Sequence, residues 1–213
     1  MKNIIILFLL LLSATAGIAQ VKTVYFNEED QIVTDSTEAV SYALVGRLTG
    51  DSVYTVKKFD ADGYMMMTGA YKDDTFRVPH GDFVYYDWVE AISPMGNYVV
   101  PSSGKERFIN LRGTFQNGLR EGRWITYYQS GSIKEVINYK QNLMHGEYRS
   151  FDYKGNLEIL GNFVNNKKEG TWITKEGRVI YQFKNDKIVS TTKKSKKQLE
   201  AERAAAAAAA AKN

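Results

Sequence analysis

The fold of this chain is indicated most clearly by residues 122–146, GRWITYYQSGSIKEVINYKQNLMHG. Their apolar and polar residues alternate as in two antiparallel strands joined by a turn. Residues 122–128 are predicted to form a strand and residues 129–132 a turn. In the return strand, Ile133, Ile137 and Tyr139 fall on one face, since successive strand side chains point to opposite sides. Residues 141–146 would turn the chain into the next strand, as glycine and asparagine tolerate positive φ.

This hairpin pattern recurs along the chain with a period of 24 residues. The recurring positions are Gly122, Gly146 and Gly170; Trp124, Tyr148 and Trp172; Gly131 and Gly155; and Phe115, Tyr139 and Phe163. A lone hairpin is marginal in water, whereas stacked hairpins bury their aromatic rows, and each buried large side chain contributes roughly 1.5–3 kcal/mol. The spacing therefore predicts an all-β fold, an antiparallel array of β-hairpin repeats over residues 63–186.

Two sets of residues are predicted to build these repeats. The repeat-core aromatics are Phe83, Tyr86, Phe115, Trp124, Tyr127, Tyr139, Tyr148, Phe151, Phe163, Trp172 and Phe183. The repeat turn glycines are Gly81, Gly122, Gly131, Gly146, Gly155, Gly170 and Gly177. Trp124 and Tyr127 are three residues apart and would face opposite sides of a regular strand. Either both faces of the sheet carry aromatics, or a bulge returns the second ring to the first face.

The ends of the chain differ in composition from the repeats. Residues 1–19 are typical of a secretory signal peptide, with Lys2, an apolar run at 4–12, and Gly17 and Ala19 before the cleavage point. The rival interpretation, a membrane anchor, has too short an apolar run to span about 30 Å of hydrocarbon. Residues 20–62 are predicted to form a divergent N-terminal β cap. The unit that follows carries an insertion at 92–105, expected to form a loop.

A basic, alanine-rich tail is predicted over 187–213. Eight alanines at 204–211 favour a helix over about 196–211, which we expect to project or fray because it lacks an apolar stripe. The lysines that could touch an anionic envelope surface are Lys193, Lys194, Lys196 and Lys197. A solvated chain end is the alternative.

Charge and composition exclude several classes of function. The net charge of +4 arises in the tail, since residues 184–213 hold eight Lys/Arg and three Asp/Glu. The folded part is therefore slightly acidic, and no nucleic-acid partner is expected. The chain has no cysteine, which removes disulfides, thiolate metal sites and cysteine nucleophiles.

The repeat pattern resembles the bacterial variant of the MORN repeat. The residues that carry the resemblance are Gly122, Trp124, Tyr127, Gly131, Tyr139, Asn142, Gly146, Tyr148, Phe151, Gly155, Phe163, Gly170 and Trp172. The region from Tyr25 to Tyr71 is similar to the leader ahead of such repeats in exported proteins of Gram-negative bacteria. The resemblance implies a β-hairpin array used for protein or membrane-surface interaction, and some relatives carry an antitoxin label. It implies no catalytic residues.

Catalytic chemistry has little support in the sequence. His80 and His145 each precede a repeat glycine, where Glu121 and Glu169 stand in other units, so a polar structural position is favoured over a metal or acid–base pair. Carboxylates that could pair across strands, as a hydrolase would need, are Asp60, Asp62, Asp73, Asp74, Asp82 and Asp87. No catalytic, cofactor-binding or metal-binding residue is assigned.

We therefore expect an exported, non-catalytic protein-binding or scaffolding module in the periplasm or at the cell surface, without a transmembrane span after cleavage. The alternatives are a toxin-neutralising antitoxin or immunity-type protein and, less favoured, a carboxylate-dependent hydrolase.

Overall fold

A computed structural model describes residues 20–47, 52–89, 106–174 and 177–210. These residues form one antiparallel sheet of 15 strands and one helix. The prediction of an antiparallel β meander with a C-terminal helix is confirmed. The predicted signal peptide at 1–19 and the insertion at 92–105 lie outside the described residues.

The sheet is a meander in which chain neighbours pair from β3 to β11, β12 and β13 both pair with β11, and β14 and β15 follow; β1 lies beside β3 and β2 is at the edge. The strands are β1 Gln20–Phe26, β2 Ile32–Val33, β3 Ser41–Arg47, β4 Tyr54–Asp60, β5 Met65–Tyr71, β6 Gly81–Trp88, β7 Arg107–Gln116, β8 Leu119–Tyr127, β9 Ile133–Lys140, β10 Leu143–Phe151, β11 Leu157–Val164, β12 Lys167–Lys168, β13 Gly170–Thr174, β14 Val179–Lys184 and β15 Lys187–Lys193. The helix α1 spans Lys196–Ala210, and a 3₁₀ turn spans Ser36–Glu38.

Tight turns of two residues follow β7, β9, β11 and β14 along one edge of the sheet. Both central residues of each have positive φ, as in Asn117 (52°) with Gly118 (85°) and Gln141 (50°) with Asn142 (68°). Two consecutive positive φ values define the type I′ turn, whose twist matches that of paired strands. The turn predicted at 141–146 is therefore shorter, and residues 143–146 belong to β10.

Wider turns follow β4, β8 and β10 along the other edge. In each, a glycine with positive φ is the fourth residue: Gly63 (88°), Gly131 (82°) and Gly155 (84°). Gly131 donates its N–H to the Tyr128 carbonyl at 2.9 Å, and the same bond recurs in the other two turns. The prediction that Gly131 and Gly155 lie in turns agrees with the structure, and Gly177 (93°) also lies in a turn.

The other four predicted turn glycines are not in turns. Gly81, Gly122, Gly146 and Gly170 lie in or at the start of strands, with φ of 98°, 66°, 102° and 70°. Three residues separate Met144 from Tyr148 in β10, whereas their partners Tyr139 and Ile137 are separated by one. The extra residues make a β-bulge, and its positive φ suits glycine for the same reason that a turn does.

A second bulge, in β9, explains on which faces Trp124 and Tyr127 lie. Thr126 pairs with Glu135 and Tyr127 with Ile133, so the extra residue, Lys134, lies in the return strand β9. Strand β8 itself stays regular there, and Trp124 and Tyr127 face opposite sides. Both faces of the sheet therefore carry aromatics, as the first alternative expected.

The sheet runs past both predicted domain boundaries. The β4–β5 hairpin crosses residue 62 with the bulge of the later units, between the pairs Lys58–Met67 and Phe59–Met65. Strand β15, placed by the prediction in the tail, pairs with β14 from Lys187 to Lys193. Pairing of its backbone amides outweighs the exposure of its side chains.

Helix α1 begins at a capping box that the sequence analysis missed. The Ser195 N–H donates to Gln198 Oε1 at 2.8 Å, and the Gln198 N–H donates to Ser195 Oγ at 3.3 Å. This reciprocal pair satisfies two N–H groups at the helix start. The helix is therefore anchored at its N-terminus rather than frayed there.

The loop after β5 is held by one carboxylate. Asp73 accepts hydrogen bonds from the N–H groups of Arg77 at 3.0 Å and Val78 at 2.7 Å, and from the Thr75 hydroxyl at 2.5 Å. The hydrogen bond from the Arg77 N–H, followed by that from the Thr75 hydroxyl, lowers the pKa of Asp73 to about 2 from 3.8.

Acid is therefore expected to loosen this loop. Because the folded-state pKa of Asp73 is depressed, its stabilising contribution is fully present above pH 3.8 and is lost as the pH falls through about 2. The protection of the Val78 amide against hydrogen exchange, measured relative to an unstructured chain at the same pH, should fall over that range in the native chain. Asp73→Asn should already be less protected at neutral pH and show no further fall in acid; equal pH profiles of protection for the two chains would contradict the assignment.

Candidate interaction surface

The eleven predicted core aromatics divide between the two faces of the sheet. One face, here called the aromatic face, carries Phe83, Phe115, Trp124, Tyr139, Tyr148, Phe163, Trp172 and Phe183. The opposite face carries Tyr86, Tyr127 and Phe151. Four rings of the first set are buried, with Phe83 1% exposed and Trp124 and Trp172 each 3% exposed, and the fourth is Phe163. The other rings of the first set and all three of the second set are half-buried.

Rings on the aromatic face bury one another edge to face. Ring centroids lie 4.9 Å apart for Phe83 and Phe115, and 4.9 Å apart for Phe115 and Trp124. Such pairs are worth about 0.5–1.5 kcal/mol beyond their buried area. The Arg120 guanidinium lies 4.7 Å from the Trp124 centroid, and the Lys168 ammonium 4.6 Å from that of Trp172. The rings of this row thus pack mainly against one another and against these two cations.

On the aromatic face, the size of a ring is matched to the size of the residue beneath it in the neighbouring strand. A Cβ built on Gly113 would lie 2.2 Å from Trp124, and one on Gly161 would lie 2.3 Å from Trp172. In the intervening unit the corresponding pair is Ile137 with the smaller Tyr148. Each tryptophan therefore lies on bare backbone, which only a glycine leaves open.

A hydrogen bond fixes Tyr148 within this row. Its hydroxyl donates to Glu135 Oε1 at 2.7 Å. Burial and this hydrogen bond both raise the pKa of Tyr148, so the phenol stays protonated over the physiological range.

The opposite face presents a periodic apolar strip to solvent. The strip consists of three cross-strand pairs, Tyr86–Ile109, Tyr127–Ile133 and Phe151–Leu157. Its aliphatic members Ile109, Ile133 and Leu157 are 42%, 36% and 40% exposed and are spaced by one repeat. Successive pairs are two strands apart, or about 9–10 Å. Solitary exposed aliphatics need no explanation, but a ladder of them at one repeat position is typical of an interaction surface.

Arginines flank this apolar strip on the same face. Arg112 pairs with Ile125, and Arg149 pairs with Val136, so the two arginines lie on either side of the aliphatic pair Ile125–Val136. Ile125 and Val136 are buried, which the long arginine stems on either side help to explain. Arg149 forms an ion pair with Glu147 at 2.7 Å, and the Arg112 guanidinium lies 5.7 Å from the Tyr127 centroid. The strip thus has an apolar centre with two arginines beside it, one of which is paired with Glu147.

Helix α1 lies at one end of the strip. A Cβ built on Gly177 would lie 3.4 Å from Leu199 Cδ1, so the helix packs against the turn before β14. A groove of about 470 Å³ between helix and sheet is lined by Leu157, Ile173 and Arg203. The helix of the tail therefore does not simply project into solvent. Leu199 alone provides its contact with the turn at Gly177, and a single apolar residue gives no helical periodicity in the sequence.

The four tail lysines are placed in different surroundings. Lys194 forms an ion pair with Glu202 at 2.6 Å, and Lys196 forms one with Glu200 at 3.8 Å. Lys193 ends β15, and Lys197 is exposed on α1. Two of the four cations are thus partly neutralised within the chain.

The histidines and their counterparts connect successive tight turns. His80 Nδ1 accepts the Asn117 N–H at 3.2 Å, Glu121 Oε2 accepts the Gln141 N–H at 2.9 Å, and Glu169 Oε2 accepts the Asn185 N–H at 2.8 Å. His145 Nδ1 lies 3.2 Å from Asn165 Oδ1 in the equivalent place. The residue that precedes each repeat glycine therefore caps the next tight turn. This role is more specific than the polar structural position that the sequence predicted.

Several of the carboxylates considered for a hydrolase have structural partners. Asp60 contacts Arg107 at 2.5 Å; burial alone would raise its pKa, but the Tyr64 N–H and this guanidinium lower it. Asp82 accepts the Thr114 hydroxyl at 2.6 Å, and Asp87 accepts the Trp88 N–H at 2.8 Å. Within the described ranges, no cluster of three or more potential metal ligands occurs. The described helix is also too short and too polar to cross a bilayer.

Comparison with known proteins gives one family match. A search of curated proteins returned no match. The family model of the MORN repeat variant matches residues 120–141 and 144–165. The first match covers β8 and β9 and the second covers β10 and β11, so each corresponds to one structural hairpin. Repeats of this family generally bind proteins or membranes and are typically non-catalytic. Two adjacent hairpins at the centre of this sheet are therefore similar to repeats of the MORN variant.

Proposed function

We propose that this chain is an exported, non-catalytic scaffold that binds another protein at the cell envelope through the apolar strip. The observation that carries the proposal is the exposure of Ile109, Ile133 and Leu157 at one repeat position on the face opposite the aromatic row. Covering the exposed part of these side chains removes apolar area from water at about 25 cal/mol per Å².

The shape and charge of the strip favour a protein partner. Ile109 and Leu157 are four strands apart, so the strip extends about 19 Å, which suits an extended contact rather than an enclosed small molecule. Tyrosine and arginine, here Tyr127 and Arg112, are the residue types that dominate binding energy in protein interfaces. Arg112 beside the apolar centre favours a partner surface that is apolar at its centre and carries an acidic group at the edge.

Charge placed on the strip should abolish partner binding. Ile109→Lys combined with Ile133→Lys is expected to lower the yield of co-purified partner from envelope extracts at least tenfold, because two buried apolar contacts are replaced by desolvated charges. Gln116→Lys, an exposed position near the tight-turn edge, is the control and should leave recovery unchanged. Equal recovery with the double variant and the wild type would refute the assignment of the strip.

Export is tested separately from binding. The cationic Lys2, the apolar run at 4–12 and the small residues Gly17 and Ala19 support cleavage before Gln20. Protein recovered from a periplasmic or surface fraction should therefore begin at Gln20 on N-terminal sequencing. A cytoplasmic chain that retains Met1, in a tight complex with one small toxic protein, would favour the antitoxin role instead.

A further inference from the structure

A cleft of about 460 Å³ opens on the aromatic face at the N-terminal end of the sheet. The turn between β1 and β2 and the loop after β5 form its sides. Phe26, Tyr71 and Phe76 line it, with the Phe76 ring centroid 6.0 Å from that of Phe26 and 5.5 Å from that of Tyr71. The cleft is distinct from the apolar strip, which lies on the opposite face.

A lysine is buried at the floor of this cleft. Lys58 is in the middle of β4, between its partners Ala43 in β3 and Met67 in β5. Its side chain is 11% exposed, and its ammonium group lies 4.2 Å from the Phe26 centroid. A cation in such surroundings loses most of its hydration and is stable only when an anion or an aromatic face compensates.

The anion that compensates Lys58 is held loosely at the surface. Asp30 forms an ion pair with Lys58, yet the Asp30 side chain is 71% exposed. Asp30 has φ of 61° at the turn position where Gly63 and Gly131 lie in the later units. Its carboxylate can therefore leave the cleft by side-chain rotation, without disturbing the packed residues below.

A second cation stands at the mouth of the cleft. Arg77 is exposed there, and its backbone is fixed because its N–H donates to Asp73 at 3.0 Å. Lys58 and Arg77 line the cleft together with the carboxylate of Asp30, and the Asp73 carboxylate lies close enough to act on Tyr71. Burial is the main reason why the pKa of Tyr71 rises to about 12, so this phenol adds no negative charge beside Lys58.

We propose that the cleft binds an organic carboxylate that bears an apolar group. The ligand carboxylate replaces Asp30 on Lys58 and approaches Arg77, while its apolar group packs against Phe26 and Phe76. Such a group occurs at the C-terminal residue of a peptide and in a free aryl or alkyl acid. The two sources share the recognised chemistry and differ in what extends beyond the cleft.

Calorimetric titration of the purified full chain tests the proposal with defined probes. The probes are 3-phenylpropionate, an acetylated tripeptide ending in phenylalanine, and the same tripeptide with an amidated C-terminus. Both acids should bind, and amidation should weaken peptide binding at least about tenfold, since a charge-assisted contact is lost. Tighter binding of the peptide than of phenylpropionate would assign the peptide source, and the reverse order the free acid. Failure of both acids to bind at millimolar concentration would overturn the proposal.

Three variants separate recognition from folding. Lys58→Met should weaken acid binding at least about tenfold, because the stem is kept and the charge removed. Asp30→Asn should strengthen it several-fold, because the internal competitor is removed while asparagine still accepts positive φ. Lys57→Met, an exposed neighbour on the opposite face, should bind as the wild type does. Asp30→Asn is decisive, because a merely structural Asp30 would not give tighter binding; unchanged or weaker binding by that variant would overturn the proposal.

Discussion

Replacing Gly113 with isoleucine is expected to lower the free energy of unfolding by about 3 kcal/mol, because the new side chain must expel Trp124 from its place on the backbone. A Cβ at this position would already lie 2.2 Å from the indole. Gly113 does not have positive φ, so the cost is steric and not one of backbone conformation. Urea denaturation followed by circular dichroism measures the change.

A second substitution should rescue the first. Gly113→Ile combined with Trp124→Tyr recreates the native pair Ile137–Tyr148 of the next repeat. The double variant is therefore expected to recover most of the stability lost by Gly113→Ile, with a favourable coupling of 1 kcal/mol or more, about the range for residues in contact. Additive losses in the two single variants would show that ring size and glycine are not matched across strands.

Truncating Trp172 to alanine should have a similarly large effect. Its ring contacts Tyr148, Phe163 and Phe183, with centroid distances of 5.4, 5.0 and 5.9 Å, and its indole N–H donates to the Asn162 carbonyl at 3.2 Å. Loss of a buried tryptophan costs about 3–5 kcal/mol. Denaturant unfolding should register this loss in Trp172→Ala.

The position of Trp172 also predicts where the chain opens. Repeat arrays are stabilised mainly between neighbours, so β13, β14 and β15 should exchange amide hydrogens faster while β8 is less affected. Tyr153→Ala, at a ring that is 49% exposed, is the control and should change stability by less than about 0.5 kcal/mol. Uniform acceleration across the whole sheet would contradict nearest-neighbour stabilisation.

The hairpins were predictable because their determinants are local. Alternation at Ile137 and Tyr139 and the paired positive-φ residues Gln141 and Asn142 act over a few positions, and the period of 24 repeats them. The prediction that Ile133 shares their face was wrong, because the bulge at Lys134 turns Ile133 to the opposite face. The bulge glycines were misassigned as turn residues for a related reason. Gly146 and Gly155 both have positive φ, so residue type alone cannot separate a bulge from a turn.

The apolar strip was only partly predictable from the sequence. Ile109, Ile133 and Leu157 follow the period of 24, so the sequence could have identified them as one repeated position. Their exposure was not predictable, because it depends on which face of the sheet the rings of the aromatic row cover. Likewise, the 48-residue spacing of Gly113 and Gly161 was visible, but its meaning requires knowing that Trp124 and Trp172 lie over them.

Turn chemistry, alternation and repeat spacing are properties of neighbouring residues, so the amino-acid sequence is enough to predict an antiparallel array of hairpins. Which side chains meet across strands follows only from how the strands are paired in three dimensions. Asp30 and Lys58 are 28 residues apart and form an ion pair because β1 pairs with β3 and β3 with β4. A contact of that kind depends on the register of two successive strand pairings, which no local pattern encodes.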